Sequence, residues 1–217
     1  MLVNGETYHI FSRSIADFII FNEVRDYERM VRLFRYYQAE DSVMKFSVFS
    51  RLSGTQKEGF YSAFNKIAIN QENLVQIVAY CLMPTHIHLV IKQLKTNGIP
   101  IFVGKILNSY TRYFNTRHKR KGPLWESKFQ NVHVENDDQL LHLTRYIHLN
   151  PVTANIVDSP NSWFFSSYRE FLGKTDLDMC RFEEFLDIDP RKYREFVCDR
   201  IGYQRELAKI KKLLMDT

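Results

Sequence analysis

Two apolar runs separated by one proline turn constrain the fold of this 217-residue chain more than any other feature. The first run is NLVQIVAYCLM (73–83), the second is HIHLVIKQ (86–93), and Pro84 lies between them. Short runs of this kind, rich in β-branched residues and bounded by turn residues, are typical of strands. We therefore predict two successive strands joined at Pro84.

The other segments complete an α+β order. Further strands are predicted at 7–15, 43–50 and 126–134, helices at 22–40, 100–117 and 135–151, and a turn with a short helix over 52–67. Leaving aside 43–72, the order is βαββαβ followed by a helix. This order predicts a ferredoxin-like fold, an antiparallel sheet with helices on one face.

Cap residues mark the predicted helices. Asn22 can cap the helix over 22–40. Asn136 can cap the helix over 135–151, and Gln139 stands three residues later, as in a capping box. Pro151 is predicted to end that helix.

The end of the chain differs in character from the rest. Residues after about 173 are charged and predicted to be helical. We predict one domain over 1–172 and a helical C-terminal extension over 173–217. Removal of the extension is expected to leave a folded protein.

Composition indicates a cytoplasmic protein. The N-terminus lacks a basic region followed by an apolar run, so no signal peptide is expected. No apolar stretch approaches the roughly 20 residues that cross a bilayer. The three cysteines are scattered and form no CxxC pair, which favours reduced thiols.

Positive charge is concentrated in one window. The chain carries a net charge of +5, and residues 105–130 contain seven Lys or Arg against one acid. Clustered cations bind phosphates, and aromatic faces stack on unpaired bases. An exposed basic loop without a ligand is the simpler interpretation of such a run by itself. The candidate DNA-binding residues are Arg112, Arg117, Lys119, Arg120, Lys121, Trp125 and Lys128.

The strand over 86–93 carries two histidines on one face. Side chains at i and i+2 of a strand point the same way, so His86 and His88 converge while Ile87 points to the core. Two neutral imidazoles can form half of a metal site. Because HxH occurs as often for structural reasons, further ligands are needed.

The helix over 135–151 contains candidates for these further ligands. His142, Tyr146 and Asn150 are spaced four residues apart and therefore share a face. Attack on a phosphodiester needs a nucleophile and a cation that neutralises phosphoryl charge. Tyr146 could equally be a packing residue, and Asn150 could be a C-terminal cap.

Three blocks together resemble a known family. They are YCLMPTHIHLVI, NSYTRYFNTRHKRKGPLWESKF and LTRYIHLNPVTANIV, in this order. The chain resembles the IS-element and REP-associated tyrosine transposases, single-tyrosine members of the HUH (His-hydrophobic-His) superfamily, from about Tyr8 to Tyr168. The family often has Asn in place of Thr85, and QGRF in place of ESKF, which leaves Lys128 at the Arg position.

The resemblance implies a DNA transposase that nicks and joins single-stranded DNA through a 5′-phosphotyrosine intermediate. It implies Tyr146 as nucleophile and His86, His88 and Asn150 as ligands of Mg²⁺ or Mn²⁺. The implied partner is single-stranded DNA that forms hairpin or palindromic element ends.

Several alternatives stay open at this point. The family includes monomers and dimers that exchange tyrosines, so a homodimer is compatible with the sequence. Tyr110 and Tyr113 are rival nucleophiles by spacing, although their place on an apolar stripe favours packing. The alternative function is a catalytically silent module that binds single-stranded nucleic acid on the same fold.

Overall fold

A four-stranded antiparallel sheet forms the centre of the protein in a computed structural model that describes residues 2–39, 45–52, 72–175 and 177–207. Its strand order is β2-β3-β1-β4, where β1 is Thr7–Arg13, β2 is Val75–Met83, β3 is His86–Gln93 and β4 is Gln130–Val134. The predicted ferredoxin-like βαββαβ order is confirmed, and β4 is shorter than the predicted strand at 126–134.

The helices follow the predicted order with one exception. They are α1 (Val24–Tyr37), α2 (Phe46–Leu52), α3 (Gly98–Arg117), α4 (Asp137–Thr153), α5 (Tyr168–Phe171) and α6 (Pro190–Cys198); residues 201–207 are also helical. Among the described residues, no helix has the length and apolarity needed to cross a membrane.

The exception is the strand predicted at 43–50, which is wrong for the part that the structure describes. Residues 46–52 form α2, and its Phe46 and Phe49 both pack against the ring of Tyr36, at 5.3 and 4.8 Å between centroids. Side chains three residues apart share a face of a helix, whereas on a strand they would point to opposite faces. The turn and short helix predicted over 52–67 lie almost entirely outside the described residues.

Helices cover both faces of the sheet. Phe34 of α1 packs on Tyr80 of β2, which is opposite Leu89 in the sheet register, and on Phe102 of α3. Tyr146 of α4 instead contacts His88, whose side chain points to the other face. Among the described helices, α1 and α3 follow the expected placement on one face, with α2 packed on α1, whereas α4 lies on the other face. The reason is that β2 is buried on both faces, and His88 and Val90 are buried on the second face of β3.

Two cap predictions change in detail. α1 begins after Glu23, and the Asp26 carboxylate accepts hydrogen bonds from the backbone N–H groups of Asn22 and Glu23, so Asn22 is not the cap. In α4, the Asn136 side chain accepts from the backbone N–H of Gln139, as predicted. Pro151 does not end α4, which continues to Thr153.

The segment after 173 packs against the sheet and α4. The backbone N–H of Arg181 donates to the Ile77 carbonyl on the edge of β2. The ring of Phe171 stacks on Phe182 at 3.9 Å, and Tyr193 is fully buried. The boundary between 172 and 173 stays a prediction, but these contacts argue against the expectation that the fold survives without the extension.

Candidate active site

The strand β3 places two imidazoles side by side at its start. His86 and His88 lie on the same face with ring centroids 5.1 Å apart and nearly perpendicular planes. Backbone hydrogen bonds hold the preceding turn, because Ser14 N–H donates to the Thr85 carbonyl and Ile20 N–H donates to the Pro84 carbonyl. The pair therefore sits on a fixed part of the backbone.

In each histidine, the Nδ1 atom forms a hydrogen bond within the protein. His86 Nδ1 lies 2.9 Å from the Thr85 hydroxyl oxygen, and His88 Nδ1 lies 3.0 Å from Nε2 of His9. No hydrogen bond from the described residues reaches Nε2 of either histidine. Histidines that bind metals typically engage one nitrogen with a protein partner and present the other to the ion. The two Nε2 atoms thus have the arrangement of metal ligands.

Burial keeps both imidazoles neutral. It lowers the pKa of His86 to about 4, with a smaller contribution from the Arg13 guanidinium. Burial also holds the pKa of His88 well below its usual value, helped by the neighbouring His86 and His9. A neutral imidazole has the lone pair that metal binding requires.

Helix α4 brings Tyr146 to the same point within a single chain. The ring of Tyr146 lies edge-to-face against His88 with centroids 6.0 Å apart, and the residue is 42% exposed. Its hydroxyl makes no hydrogen bond to any residue that the structure describes. Partial burial raises the pKa of the phenol, and the Arg13 guanidinium opposes this effect. The phenol is therefore protonated at neutral pH and accessible to a substrate.

Asn150 lies one turn further along α4 and lines the same cleft. Its Nδ2 atom is buried without a hydrogen-bond partner in the described parts of the chain. The Asn150 side chain is only partly buried and lines the cleft together with both imidazoles, so its amide oxygen is the candidate for a third ligand. The residues present therefore fit a divalent cation that accepts mixed nitrogen and oxygen ligands.

These residues line one open cleft of about 420 Å³. Its wall also contains His9, Arg13, Glu126 and Gln130, which carry no motif in the sequence. Arg13 lies directly opposite His86 in the β1–β3 register and forms an exposed ion pair with Asp17 at 3.2 Å. Only the alternation of β1 could have suggested His9 and Arg13, because their partners depend on a strand register that is not readable from one sequence.

The basic window divides into residues that hold the fold and residues that face solvent. Arg117 is paired with Glu23 and Asp26 and so ties α3 to the start of α1. Arg120 donates to the carbonyl of Pro123 at 2.7 Å and to the Asn115 side chain, which braces the loop. These guanidiniums have structural partners within the fold, and their role in DNA binding stays a prediction.

Trp125 is also a structural residue. It is 9% exposed, and its indole N–H donates to the Thr111 hydroxyl at 3.1 Å. Its face is therefore not available to stack on a base, which corrects that part of the prediction. Four of the predicted DNA-binding residues are exposed: Arg112, Lys119, Lys121 and Lys128.

A larger cavity of about 1270 Å³ lies between α1, α2 and α3. Arg112 lines it together with Arg25 and Arg29, and the cavity includes none of the histidines or Tyr146. Phe34 and Tyr80 place these helices on the opposite face of the sheet from His88. The larger cavity is therefore separate from the chemistry of the smaller cleft.

The rival tyrosines are packing residues. Tyr110 is fully buried and donates its hydroxyl hydrogen to the Ile20 carbonyl at 2.6 Å. Tyr113 donates to the Asp26 carboxylate at 2.9 Å. Burial raises the pKa of both phenols. Their hydroxyls are engaged on the face of the sheet that His88 does not reach, which agrees with the expected packing role.

The remaining histidines of α4 point away from the cleft. His142 Nδ1 lies 2.6 Å from the Arg145 guanidinium, and its ring packs on Phe196. His148 is fully buried between the Tyr193 hydroxyl and the Ser167 hydroxyl, at 2.7 Å from each. Burial lowers the pKa of His148 to about 3. Both side chains connect α4 to the C-terminal segment.

Comparisons with known proteins confirm the predicted resemblance. The family model "Transposase IS200 like" matches residues 49–150. A curated "Putative REP-associated tyrosine transposase" from Haemophilus influenzae is 28% identical over 104 residues, which cover 43% of this chain and 58% of that relative. The match thus spans less than two thirds of the relative's length.

A solved structure supports the fold. It is described as "Structure of the REP associates tyrosine transposase bound to a REP hairpin". The superposition has a TM-score of 0.51 at 14% identity and covers 87% of this chain and 96% of the other. At this level of identity the likeness concerns the fold: a four-stranded antiparallel sheet with helices and a helical C-terminal part.

Proposed function

Because the chain resembles IS200-like and REP-associated tyrosine transposases, we propose that it is a DNA transposase that cuts and rejoins single-stranded DNA with Tyr146 as nucleophile. One observation carries this proposal. The side chains of Tyr146, His86, His88 and Asn150 line one open cleft, and no hydrogen bond from the described residues occupies Nε2 of either histidine. A nucleophile beside a ligand set is what phosphodiester cleavage requires.

His86, His88 and Asn150 would hold Mg²⁺ or Mn²⁺. A bound divalent cation would neutralise charge on the phosphoryl oxygens during attack. Two imidazoles and one amide oxygen suit Mn²⁺ better than Mg²⁺, which prefers oxygen ligands. Three protein ligands leave positions for oxygens of the DNA, so we expect weak metal binding without substrate.

Tyr146 would perform the covalent step. Its hydroxyl oxygen forms a bond to phosphorus, and the bond from phosphorus to the 3′ oxygen of the preceding nucleotide breaks. The phenol releases its proton to solvent, and the departing 3′ oxygen takes up a proton, so the products are a 5′-phosphotyrosine and a free 3′-OH. Attack by a 3′-OH on the phosphotyrosine reverses the step and joins strands. The positive charge of Arg13 favours the phenolate, because it opposes the effect of burial on the pKa of Tyr146.

The proposed substrate is single-stranded DNA next to a hairpin. The solved relative is described as bound to a REP hairpin. In this chain, exposed cations near the end of α3 (Arg112, Lys119 and Lys121) supply positive charge for a DNA backbone. The polar cleft is open, as a site for an extended strand needs to be.

The decisive experiment is Tyr146→Phe, assayed on a denaturing gel with labelled single-stranded DNA that carries the hairpin flanking the gene. The lost hydroxyl has no partner among the described residues, so the free energy of unfolding should change by less than about 0.5 kcal/mol. DNA binding should persist, and the covalent protein–DNA adduct should disappear.

Tyr113→Phe is the matched control, since it removes a hydroxyl that bonds Asp26 far from the cleft. It should still form the adduct. An adduct that persists in Tyr146→Phe would falsify the assignment of the nucleophile. A wild-type protein that binds the hairpin but forms no adduct would favour the alternative, a silent nucleic-acid-binding module.

A further inference from the structure

His9 of β1 contacts the edge of the His88 ring that carries Nδ1. It lies opposite Val90 in the β1–β3 register, next to the Phe11–His88 pair on the same face. The His9 and His88 rings lie edge to edge, with centroids 5.2 Å apart, planes 19° from parallel and His9 Nε2 3.0 Å from His88 Nδ1. The Phe11 ring flanks both imidazoles, at 5.2 and 6.2 Å. The two rings are therefore held in a fixed relation by their neighbours.

The hydrogen bond between these rings constrains their tautomers. A hydrogen bond between two neutral imidazoles needs one protonated and one unprotonated nitrogen. If His88 presents the lone pair of Nε2 to a metal, its proton must be on Nδ1, and Nδ1 then donates to Nε2 of His9 across 3.0 Å. His9 is neutral in this arrangement and carries its own proton on Nδ1.

We propose that His9 is a positioning residue that fixes the tautomer and the ring orientation of His88 for metal binding. This inference rests on the proposed metal site at His86 and His88. Thr85 does the same for His86 through its hydroxyl oxygen, 2.9 Å from Nδ1. Each histidine of the proposed site thus has a hydrogen-bond acceptor at Nδ1. The acceptor for His86 is the neighbouring Thr85, whereas the acceptor for His88 comes from another strand.

The geometry speaks against His9 as a further metal ligand. Its Nε2 atom already faces His88 Nδ1, so it cannot point to an ion at the same time. In the described part of the chain, no three His, Cys, Asp or Glu side chains are arranged to hold one metal ion. His9 therefore acts through His88.

The test compares His9→Phe with His9→Gln. Phe retains a ring of similar shape without an acceptor, whereas the Gln side chain can place its oxygen near the position of Nε2. Long-range ¹H–¹⁵N NMR on the metal-free proteins reports the tautomer of His88. We expect the Nδ1–H form in wild type and His9→Gln, and a mixture or the Nε2–H form in His9→Phe.

Calorimetric titration with MnCl₂, at concentrations high enough for the weak binding expected without DNA, gives the second readout. Loss of a hydrogen-bond partner behind a metal ligand typically weakens metal affinity about 10- to 100-fold. We expect this loss in His9→Phe, a smaller loss in His9→Gln, and similar melting temperatures for both variants. Equal Mn²⁺ affinity in His9→Phe and wild type, or an Nε2–H tautomer of His88 in wild type, would overturn the inference.

The two readouts separate this inference from the proposed function. Suppose that the wild-type protein binds no Mn²⁺, while His88 keeps the Nδ1–H tautomer in wild type and His9→Gln but not in His9→Phe. That result would refute the metal site and reduce the role of His9 to fixing the tautomer of His88. Wild-type protein that binds Mn²⁺ and loses it in His86→Ala, but not in His9→Phe, would support the metal site and refute the role of His9.

Discussion

Tyr193→Phe tests whether the C-terminal segment is part of the fold. The Tyr193 side chain is fully buried, and its hydroxyl lies 2.7 Å from Nδ1 of His148 on α4. The substitution keeps the ring and its contact with Phe171 at 4.9 Å, so it removes only the hydroxyl. His148 then has a buried nitrogen without that partner, while its Nε2 keeps the hydroxyl of Ser167.

The expected change in the free energy of unfolding follows from the loss of this hydrogen bond. A buried polar group left without its hydrogen bond costs about 1–3 kcal/mol. For a chain of this size, about 2 kcal/mol corresponds to a fall in melting temperature of roughly 4–8 °C. Chemical denaturation at neutral pH measures the free energy of unfolding directly. Tyr203→Phe is the matched control, because Tyr203 is 56% exposed and should tolerate the same change within about 0.5 kcal/mol.

Equal stability of the two variants would refute the reasoning. It would mean that the contact of α6 with α4 does not contribute to folding, and it would restore the expectation of a dispensable extension after residue 172. The predicted loss would place part of residues 173–217 in the cooperative unit.

Three further outcomes are expected. Burial lowers the pKa of His148 to about 3 while the unfolded value is near 6.5, so the unfolded chain binds more protons between these values and stability should fall as the pH drops below 6.5. His148 alone should contribute a loss of about 2 kcal/mol by pH 5, and His86 and His9, whose pKa burial lowers to about 4, add losses of the same sign; unfolding free energies equal at pH 7 and pH 5 would contradict this. EDTA or His86→Ala should stop DNA nicking without unfolding the protein, whereas full nicking in EDTA would remove the metal from the mechanism. Neutralising Arg112, Lys119 and Lys121 together should reduce the slope of log affinity against log salt for single-stranded DNA by roughly 2, and an unchanged slope would return them to a solvent-exposed loop.

The local patterns of the sequence were sufficient for most of the fold. The apolar runs around Pro84 form the β2–β3 hairpin, and Asn136 caps α4 as predicted. The HxH motif places His86 and His88 on one face, because strand alternation is a local property. The four-residue spacing of Tyr146 and Asn150 likewise fixes their shared helix face.

Errors occurred where tertiary contacts override local preference. Pro151 lacks an N–H and usually ends a helix, yet α4 continues because Pro151 and Val152 are buried and the Ala154 N–H still bonds to the Asn150 carbonyl. The run over 43–50 was predicted as a strand, but the rings of Phe46 and Phe49 both pack on Tyr36 of α1 from one face of a helix. Long-range packing of this kind leaves no periodic signal in a single sequence.

Charge patterns gave the least reliable prediction. A basic run indicates where cations lie in the sequence but not which groups they pair with. Acidic residues distant in the chain pair with one of these cations, Arg117. Arg117 is paired with Asp26, 91 residues away, in a contact that joins two helices. Trp125 lies in the same run and is buried. The run therefore contains both residues that stabilise the fold and exposed residues that can meet DNA.

The proposed site depends on residues that lie beyond both ends of the segment that matches the family model. Residues 49–150 contain His88 and Tyr146, whereas His9 and Tyr193 lie outside. His9 contacts His88 from behind, and Tyr193 holds His148, which is two residues from Tyr146 and so lies about 200° around α4. Tyr146 thus faces the cleft, while the opposite side of its helix contacts the C-terminal segment. The distance between the proposed nucleophile and the proposed ligands is therefore set by β1 and α6 as well as by the motifs themselves. A fragment limited to residues 49–150 is expected to lack the site geometry even though it contains His86, His88, Tyr146 and Asn150.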